Sequence, residues 1–190
     1  MSKERKDQII RAAAKRFARH GQGKTTLDEI ARDVRIGKAT IYHYFKSKED
    51  LFYDTLYWEA TNFIDDIKAI FNNEDIPIGG RLMEYLSYKE NAYLKYKLLY
   101  DLMLLLMRED SFEKEKVILK TFLKDETDIV GLILSSIYSG RIESMDIALP
   151  QYIVQTSWGL MFSNKLNQIT GNPQTGMKEL MFRSLENLLG

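Results

Sequence analysis

Apolar residues recur every three or four positions along most of this chain, and polar breaks between the runs mark out helices. The first run covers about residues 3–20. Ile10, Ala13, Ala14 and Phe17 share one face, while Lys6, Arg11, Lys15, Arg16 and Arg19 fall mostly off it. Gly21 stands where the helix should end, in the left-handed conformation easiest for glycine. Thr26-Leu27-Asp28-Glu29 fits a capping box, in which a hydroxyl and a carboxylate satisfy end amides reciprocally. Leu27, Ile30, Ala31 and Val34 then form the apolar edge of a short second helix. A three-residue break, Arg35-Ile36-Gly37, separates it from a third, about Lys38 to Phe45, with Ile41 and Phe45 facing inward. Ser47-Lys48-Glu49-Asp50 reads as a second capping box, opening a helix that continues to about Phe71.

The remainder divides into longer helices. Asn72-Asn73-Glu74-Asp75, Pro77 and Gly79-Gly80 interrupt the pattern. One or two helices cover about Arg81 to Met107, with a break placed near Asn91. Another runs from about Asp110 to Ser139, burying Phe112, Leu119, Phe122, Leu123, Val130, Ile133 and Ile137, and Gly140 ends it. Pro150 suits the first turn of a helix reaching about Ile169. Asn172-Pro173 then caps a last helix carrying Met177, Leu180, Met181, Leu185 and Leu188. No alternation marks a strand, so the expected fold is all-α.

Composition narrows the chemistry. In 190 residues, 45% hydrophobic and 28% charged, a core can form and the chain is not wholly disordered. There is no cysteine, and His20 and His43 are the only histidines, which excludes disulfides, thiol nucleophiles and cysteine or His-rich metal sites. No cofactor is expected. The polar N-terminus lacks a signal core, and the most apolar run, Leu98 to Met107, falls short of the roughly 20 residues a bilayer needs. A cytoplasmic location follows as the expectation.

The net charge of zero argues at first against a nucleic-acid partner. Its distribution argues the other way. Residues 1–50 carry 13 Lys/Arg against 7 Asp/Glu, and residues 51–190 carry 14 against 20. A basic head of +6 is cancelled by an acidic body of −6, a polarity that suits a head meeting an anion. Two short helices joined by a tight turn and braced by a third make a helix-turn-helix unit. The second short helix has to bury one face and offer the other, with its N-terminus, to the major groove. Ile36, Ile41 and Phe45 supply the buried side. Lys38, Thr40, Tyr42 and His43 remain near the exposed side, with groups able to bond phosphates or base edges. Lys46 and Lys48 flank the next helix start, where amides and the helix dipole also attract phosphate.

Three runs, Thr25-Thr26-Leu27-Asp28-Glu29-Ile30-Ala31, Lys38-Ala39-Thr40-Ile41-Tyr42-His43-Tyr44-Phe45 and Ser47-Lys48-Glu49-Asp50-Leu51, resemble the DNA-binding region of TetR-family transcriptional regulators. The resemblance covers about residues 5–55. It implies a helix-turn-helix DNA-binding domain over 1–47 and a larger helical ligand-binding and dimerisation domain over 48–190. It implies that Thr26 touches the DNA backbone, that Lys38, Ala39 and Thr40 lie along the major groove, and that Tyr42, His43 and Lys48 anchor phosphates. The pattern is departed from at Arg35, where glycine is usual, and at Gly37, where a small hydroxyl is usual. A left-handed Arg35 would cost about 1 kcal/mol.

The family resemblance further implies a homodimer on a palindromic operator, and a small-molecule effector that shifts the population toward a dimer with misplaced recognition helices. The last two long helices are apolar on more than one face, which calls for a second cover. Thr156, Gly159 and Ser163 form a small-residue strip there, and Leu180, Met181, Leu185 and Leu188 complete the expected dimer interface. Aromatic and thioether groups suit a largely apolar or aromatic ligand, and the candidate lining is Tyr100, Asp101, Met103, Met107, Tyr138, Trp158 and Phe162. The leading reading is a ligand-released repressor. The alternatives are a DNA-binding regulator governed by a protein partner or by no effector, and, more weakly, a helical enzyme, for which no catalytic motif is present.

Overall fold

A computed structural model describes residues 2–108, 113–137, 148–171 and 176–189, with the side chains of Ile78, Ile137, Leu188 and Leu189 left undescribed. Among these residues the chain forms α1 (Lys3–Lys24), α2 (Leu27–Val34), α3 (Lys38–Tyr42), α4 (Lys48–Phe71), α5 (Ile78–Lys95), α6 (Lys97–Arg108), α7 (Glu113–Ile137), α8 (Ala148–Thr170) and α9 (Met177–Leu189), and no strand. None of these helices is long and apolar enough to cross a membrane.

Helices α1–α3, α4 as far as Asn62, α6 and the start of α7 through Ile118 pack as one unit; the rest of α4, α5, α7 from Leu119, α8 and α9 pack as another. This division does not follow the expected boundary after residue 47. The first half of α4 packs with the helix-turn-helix, and α6 returns to join it.

The first unit has a continuous apolar core. Ile9, Ala13 and Phe17 of α1 meet Ile30 of α2, Ile41 of α3, Phe45, and Leu51 and Leu56 of α4, closed by Leu98 and Leu102 of α6 and Ile118 of α7. Phe17 and Phe52 add an edge-to-face ring contact at 5.2 Å. Glu59 supplies the one buried acid joining α4 to α6 among the bonds described here: its Oε2 accepts the Leu99 amide at 3.1 Å, at an α6 N-terminus whose dipole favours negative charge. Burial outweighs those amides and pushes the Glu59 carboxyl up to about 7.

In the second unit the core is aromatic. Phe63 stacks on Trp158 at 5.5 Å and meets Phe122 edge-on at 5.0 Å, while Phe71 stacks on Tyr85 at 5.3 Å. Helices α5 and α8 form its most extensive contact.

Several expectations shift. Gly21 has the positive φ that glycine allows (78°), but with an extended ψ of 161° rather than the left-handed helical cap expected, and helical turns resume after it so that α1 continues to Lys24. The break between α5 and α6 falls at Tyr96, not Asn91. The fully buried stripe of α7 is Ile118, Phe122, Glu126, Val130 and Leu134, one residue every four, and Leu119, Leu123 and Ile133 lie on its flanks. Pro150 does sit in the first turn of α8. Phe112, Tyr138, Gly140, Asn172 and Pro173 lie outside the described residues.

Glu59 yields a sign-definite test. Its folded pKa of about 7 lies above the ordinary glutamate value of 4.5, so its stabilising contribution is complete below pH 4.5 and is lost as pH rises through 7. A shift of that size corresponds to about 3 kcal/mol. Glu59→Gln should therefore gain stability relative to the parent chain between pH 5 and 8, read as the difference in urea midpoints. A difference independent of pH would show that Glu59 does not titrate in that range.

Candidate functional site

The basic head is organised around the α2–α3 turn. Thr26 caps α2 with a complete capping box: its hydroxyl accepts the Glu29 amide at 3.3 Å, and Glu29 Oε2 accepts the Thr26 amide at 2.9 Å. These bonds hold the Glu29 carboxyl below the usual carboxylate range. Arg16 of α1 fixes α2 from the side, donating to both Asp33 oxygens at 2.6 and 2.9 Å and lying 3.3 Å from Glu29. Sequence spacing alone did not single out this clamp, because its partners are 13 and 17 residues away.

Arg35 ends α2 in the left-handed region (φ 57°, ψ 47°), the only non-glycine with positive φ among the described residues. Its amide bonds the Ala31 and Arg32 carbonyls, so the turn takes the geometry glycine would favour, at a steric cost of about 1 kcal/mol. Gly37 caps α3 without a side-chain bond.

Helix α3 is a single short turn and more, ending at Tyr42 rather than Phe45. Ile41 and Phe45 are buried, as expected. Lys38, Ala39 and His43 are exposed, Tyr42 is 51% exposed, and Thr40 is half-buried, so one side of the helix is presented to solvent. The Lys38 ammonium rests on Asp28 at 2.8 Å, which holds its pKa above the ordinary lysine value. Both side chains are about half-exposed, so the pair itself contributes little to stability.

Lys48 departs from expectation. Its ammonium donates to the Gln22 carbonyl at 2.8 Å and the Thr25 carbonyl at 3.1 Å, closing the C-terminal end of α1. It is a structural cap first, with only a remaining N–H for phosphate. Ser47 caps α4 by accepting the Asp50 amide at 3.0 Å, but the Asp50 carboxylate reaches past the predicted partner to the Lys46 amide at 3.0 Å. Arg35 and Lys46, both exposed, bracket α3 as further cations.

The predicted ligand residues are divided between the two units. Tyr100, Asp101, Met103 and Met107 belong to α6 of the first unit, and Trp158 and Phe162 to α8 of the second; Tyr138 lies outside the described residues. Asp101 is exposed and paired with Lys97 at 2.5 Å, so it is not stranded on an apolar face. Met107 is 71% exposed, while Met103 is core. What the periodicity missed is the buried polar group beside Trp158. Glu126 accepts from Lys89 Nζ at 2.6 Å, from the Tyr85 hydroxyl at 2.7 Å and from Trp158 Nε1 at 3.0 Å, all fully or nearly fully buried.

Of the expected dimer residues, Leu180 is 67% exposed, and nothing lies within 4 Å of a Cβ added at Gly159. Thr156, Ser163 and Met181 are half-buried, and Tyr152, Leu166 and Met177 are exposed nearby along α8 and α9. Leu185 is 1% exposed and packed inside its own chain, which removes it from any partner-facing set. The side chain of Leu188 lies outside the described residues.

Known proteins match this organisation. The sequence pattern described as "Bacterial regulatory proteins, tetR family" matches residues 9–54. The HTH-type transcriptional regulator YhgD of Bacillus subtilis is 29% identical over 164 residues, covering 81% of this chain and 80% of that protein. The biofilm operon negative transcriptional regulator IcaR of Staphylococcus aureus is 45% identical over 47 residues, a quarter of each chain. Among solved structures, FadR from Bacillus subtilis in complex with stearoyl-CoA is 24% identical, with a TM-score of 0.68 and 97% of both chains covered. Salmonella enterica GusR is 17% identical, with a TM-score of 0.73, covering 100% of this chain and 98% of that one. The fold is thus shared across the whole length.

Two substitutions should move stability in opposite directions. Arg35→Gly relieves the left-handed strain and should stabilise the chain by about 1 kcal/mol. Lys48→Ala strips two carbonyls of a charged donor and should destabilise it by about 1–3 kcal/mol. Chemical denaturation measures both; equal effects of the same sign would contradict the geometry described.

Proposed function

The chain belongs to the TetR family of transcriptional regulators, and from that premise we propose that it is a homodimeric repressor released from a palindromic operator by a small, largely apolar or aromatic ligand. The observation that carries the DNA-binding part is α3, locked from behind by Ile41 and Phe45 and offering Lys38, Ala39, Thr40, Tyr42 and His43 on its free side. Lys38 and Thr40, with Ala39, read base edges; Tyr42 and His43, with Thr26 at the α2 cap, position the unit on phosphates. Lys48 contributes mainly by holding the end of α1 in place.

Dimerisation through α8 and α9 accounts for their exposed apolar residues. Thr156, Gly159 and Ser163 leave room for a close approach, and Leu180 and Met181 flank them. A C₂ pair is self-complementary, so one such face suffices. Two copies of α3 then meet successive major grooves about 34 Å apart. Repression is favoured by the likeness to IcaR, a negative regulator. Control by a ligand with an apolar body is favoured by the aromatic core of the second unit and by the likeness to FadR, which was crystallised with stearoyl-CoA.

Selection of bound DNA from a random pool should return a palindrome of two half-sites, and a single half-site would refute the dimer reading. Affinity should fall steeply with salt, because lysine and arginine release counterions. Tyr42→Phe should weaken binding across all sequences, while Lys38→Ala should also relax base preference. Leu180→Glu should convert a dimeric mass, measured by light scattering at micromolar concentration, to a monomeric one. A wild-type monomer under the same conditions would sink the assignment.

A further inference from the structure

The polar group in the second unit is built unevenly. The Glu126 carboxylate is fixed by two rigid aromatic donors, the Tyr85 hydroxyl on Oε1 and Trp158 Nε1 on Oε2. The Tyr85 hydroxyl is itself 3.0 Å from Ser157 Oγ. Lys89, by contrast, makes one hydrogen bond among the described residues, to Glu126 at 2.6 Å. The rest of its ammonium faces rings: the Trp158 centroid at 3.4 Å, Phe63 at 5.1 Å and Tyr85 at 5.8 Å. The side chains of Lys89 and Glu126 are both fully buried.

A carboxylate and aromatic faces, with no other oxygen bonded to the ammonium among the described residues, are the elements that recognise an organic cation. Such a cage does not require a primary amine, since a ring face attracts an alkylated ammonium as well. The fixed part of the arrangement is the receptor. The occupant is a side chain on a flexible four-carbon stem, whose ammonium burial pulls down to about 8. A buried ion pair seldom stabilises a core more than apolar side chains of the same volume, so stability alone gives little reason for its presence.

We propose that this cage is an effector subsite for an organic cation carrying an apolar body, and that Lys89 is a built-in placeholder which the cation displaces. The cation's charged nitrogen takes the Lys89 position between Glu126 and the Trp158 face, and its body lies among the rings. This deepens the effector reading given above and rests on it.

The test uses the full chain in a Trp58→Phe background, so that Trp158 is the only tryptophan, with benzyltrimethylammonium as the probe. Benzyl alcohol and 3-phenylpropionate serve as its neutral and anionic counterparts. The wild-type cage should show saturable Trp158 quenching and a raised melting temperature with the cation only. Lys89→Met, which empties the ammonium position, should tighten cation binding at least tenfold, and Glu126→Gln should weaken it at least tenfold. The double variant Lys89→Met/Glu126→Gln, neutral and close in volume, keeps the test decisive if a single variant does not fold; it should lose cation binding. No saturable response of wild type to the cation would overturn the proposal. So would 3-phenylpropionate binding lost in Lys89→Met, which would mark an anion site. If the cation binds with the expected signs but leaves operator affinity unchanged, the cage stands and the effector reading fails. If another ligand releases the operator equally from wild type and double variant, the effector reading stands and the cage proposal fails.

Discussion

A helix of five residues does not persist in water by itself, because the nucleation of a first turn outweighs the few hydrogen bonds it gains. Helix α3 exists because Ile41 and Phe45 are buried against Phe17, Ile30 and Leu51. Each fully buried side chain of this size contributes about 1.5–3 kcal/mol, which is more than the short helix lacks. All placement of DNA-facing groups follows from this burial. Moving Ile41 by one position would rotate Lys38 and Tyr42 away from the free side, since side chains three and four apart share a face. The recognition surface is therefore specified from its back.

The same core extends to α6 through Leu98 and Leu102. The helix-turn-helix is thus not sealed by its own three helices, and the stretch from Lys97 belongs to it physically although it comes 50 residues later. Glu59 reinforces this attachment at the α6 N-terminus. Helix α4 runs unbroken from Lys48 to Phe71 and contributes residues to both units.

What was legible in the sequence was local. The Thr26–Glu29 capping box, the Gly21 turn, the buried faces of α1–α3 and the start of α4 at Ser47 all depend on neighbours within four residues. The left-handed Arg35 was readable only through the family resemblance, because nothing in an Arg-Ile-Gly run demands positive φ. Long-range pairings were not legible. Arg16 with Asp33, Lys48 with the end of α1, and Glu126 with Lys89, Tyr85 and Trp158 join residues from 17 to 41 positions apart. Glu126 and Lys89 carry no local signal, because single charges in an amphipathic run read as solvated unless their partner is known. Asp101, a candidate ligand residue by its place between Tyr100 and Leu102, is turned by the helix toward Lys97 and solvent.

The charge division along the chain acquires a structural meaning from these pairings. The acids of α2 are all engaged with the head itself: Asp28 holds Lys38, Glu29 closes the cap, and Asp33 clamps Arg16. Asp50 binds the Lys46 amide. They shape the head without standing as free anions before the DNA, so their repulsion of phosphate is partly neutralised by the cations they hold. The exposed cations Arg35 and Lys46 beside α3 have no such acid among the described ion pairs. The pair most accessible to exchange there, Lys38 with Asp28, is half-exposed on both sides. Opening that pair would return the Asp28 carboxylate to solvent, so Lys38 carries its charge beside an acid of its own head. The near-zero total thus conceals a head whose acids are held by its own cations and backbone amides.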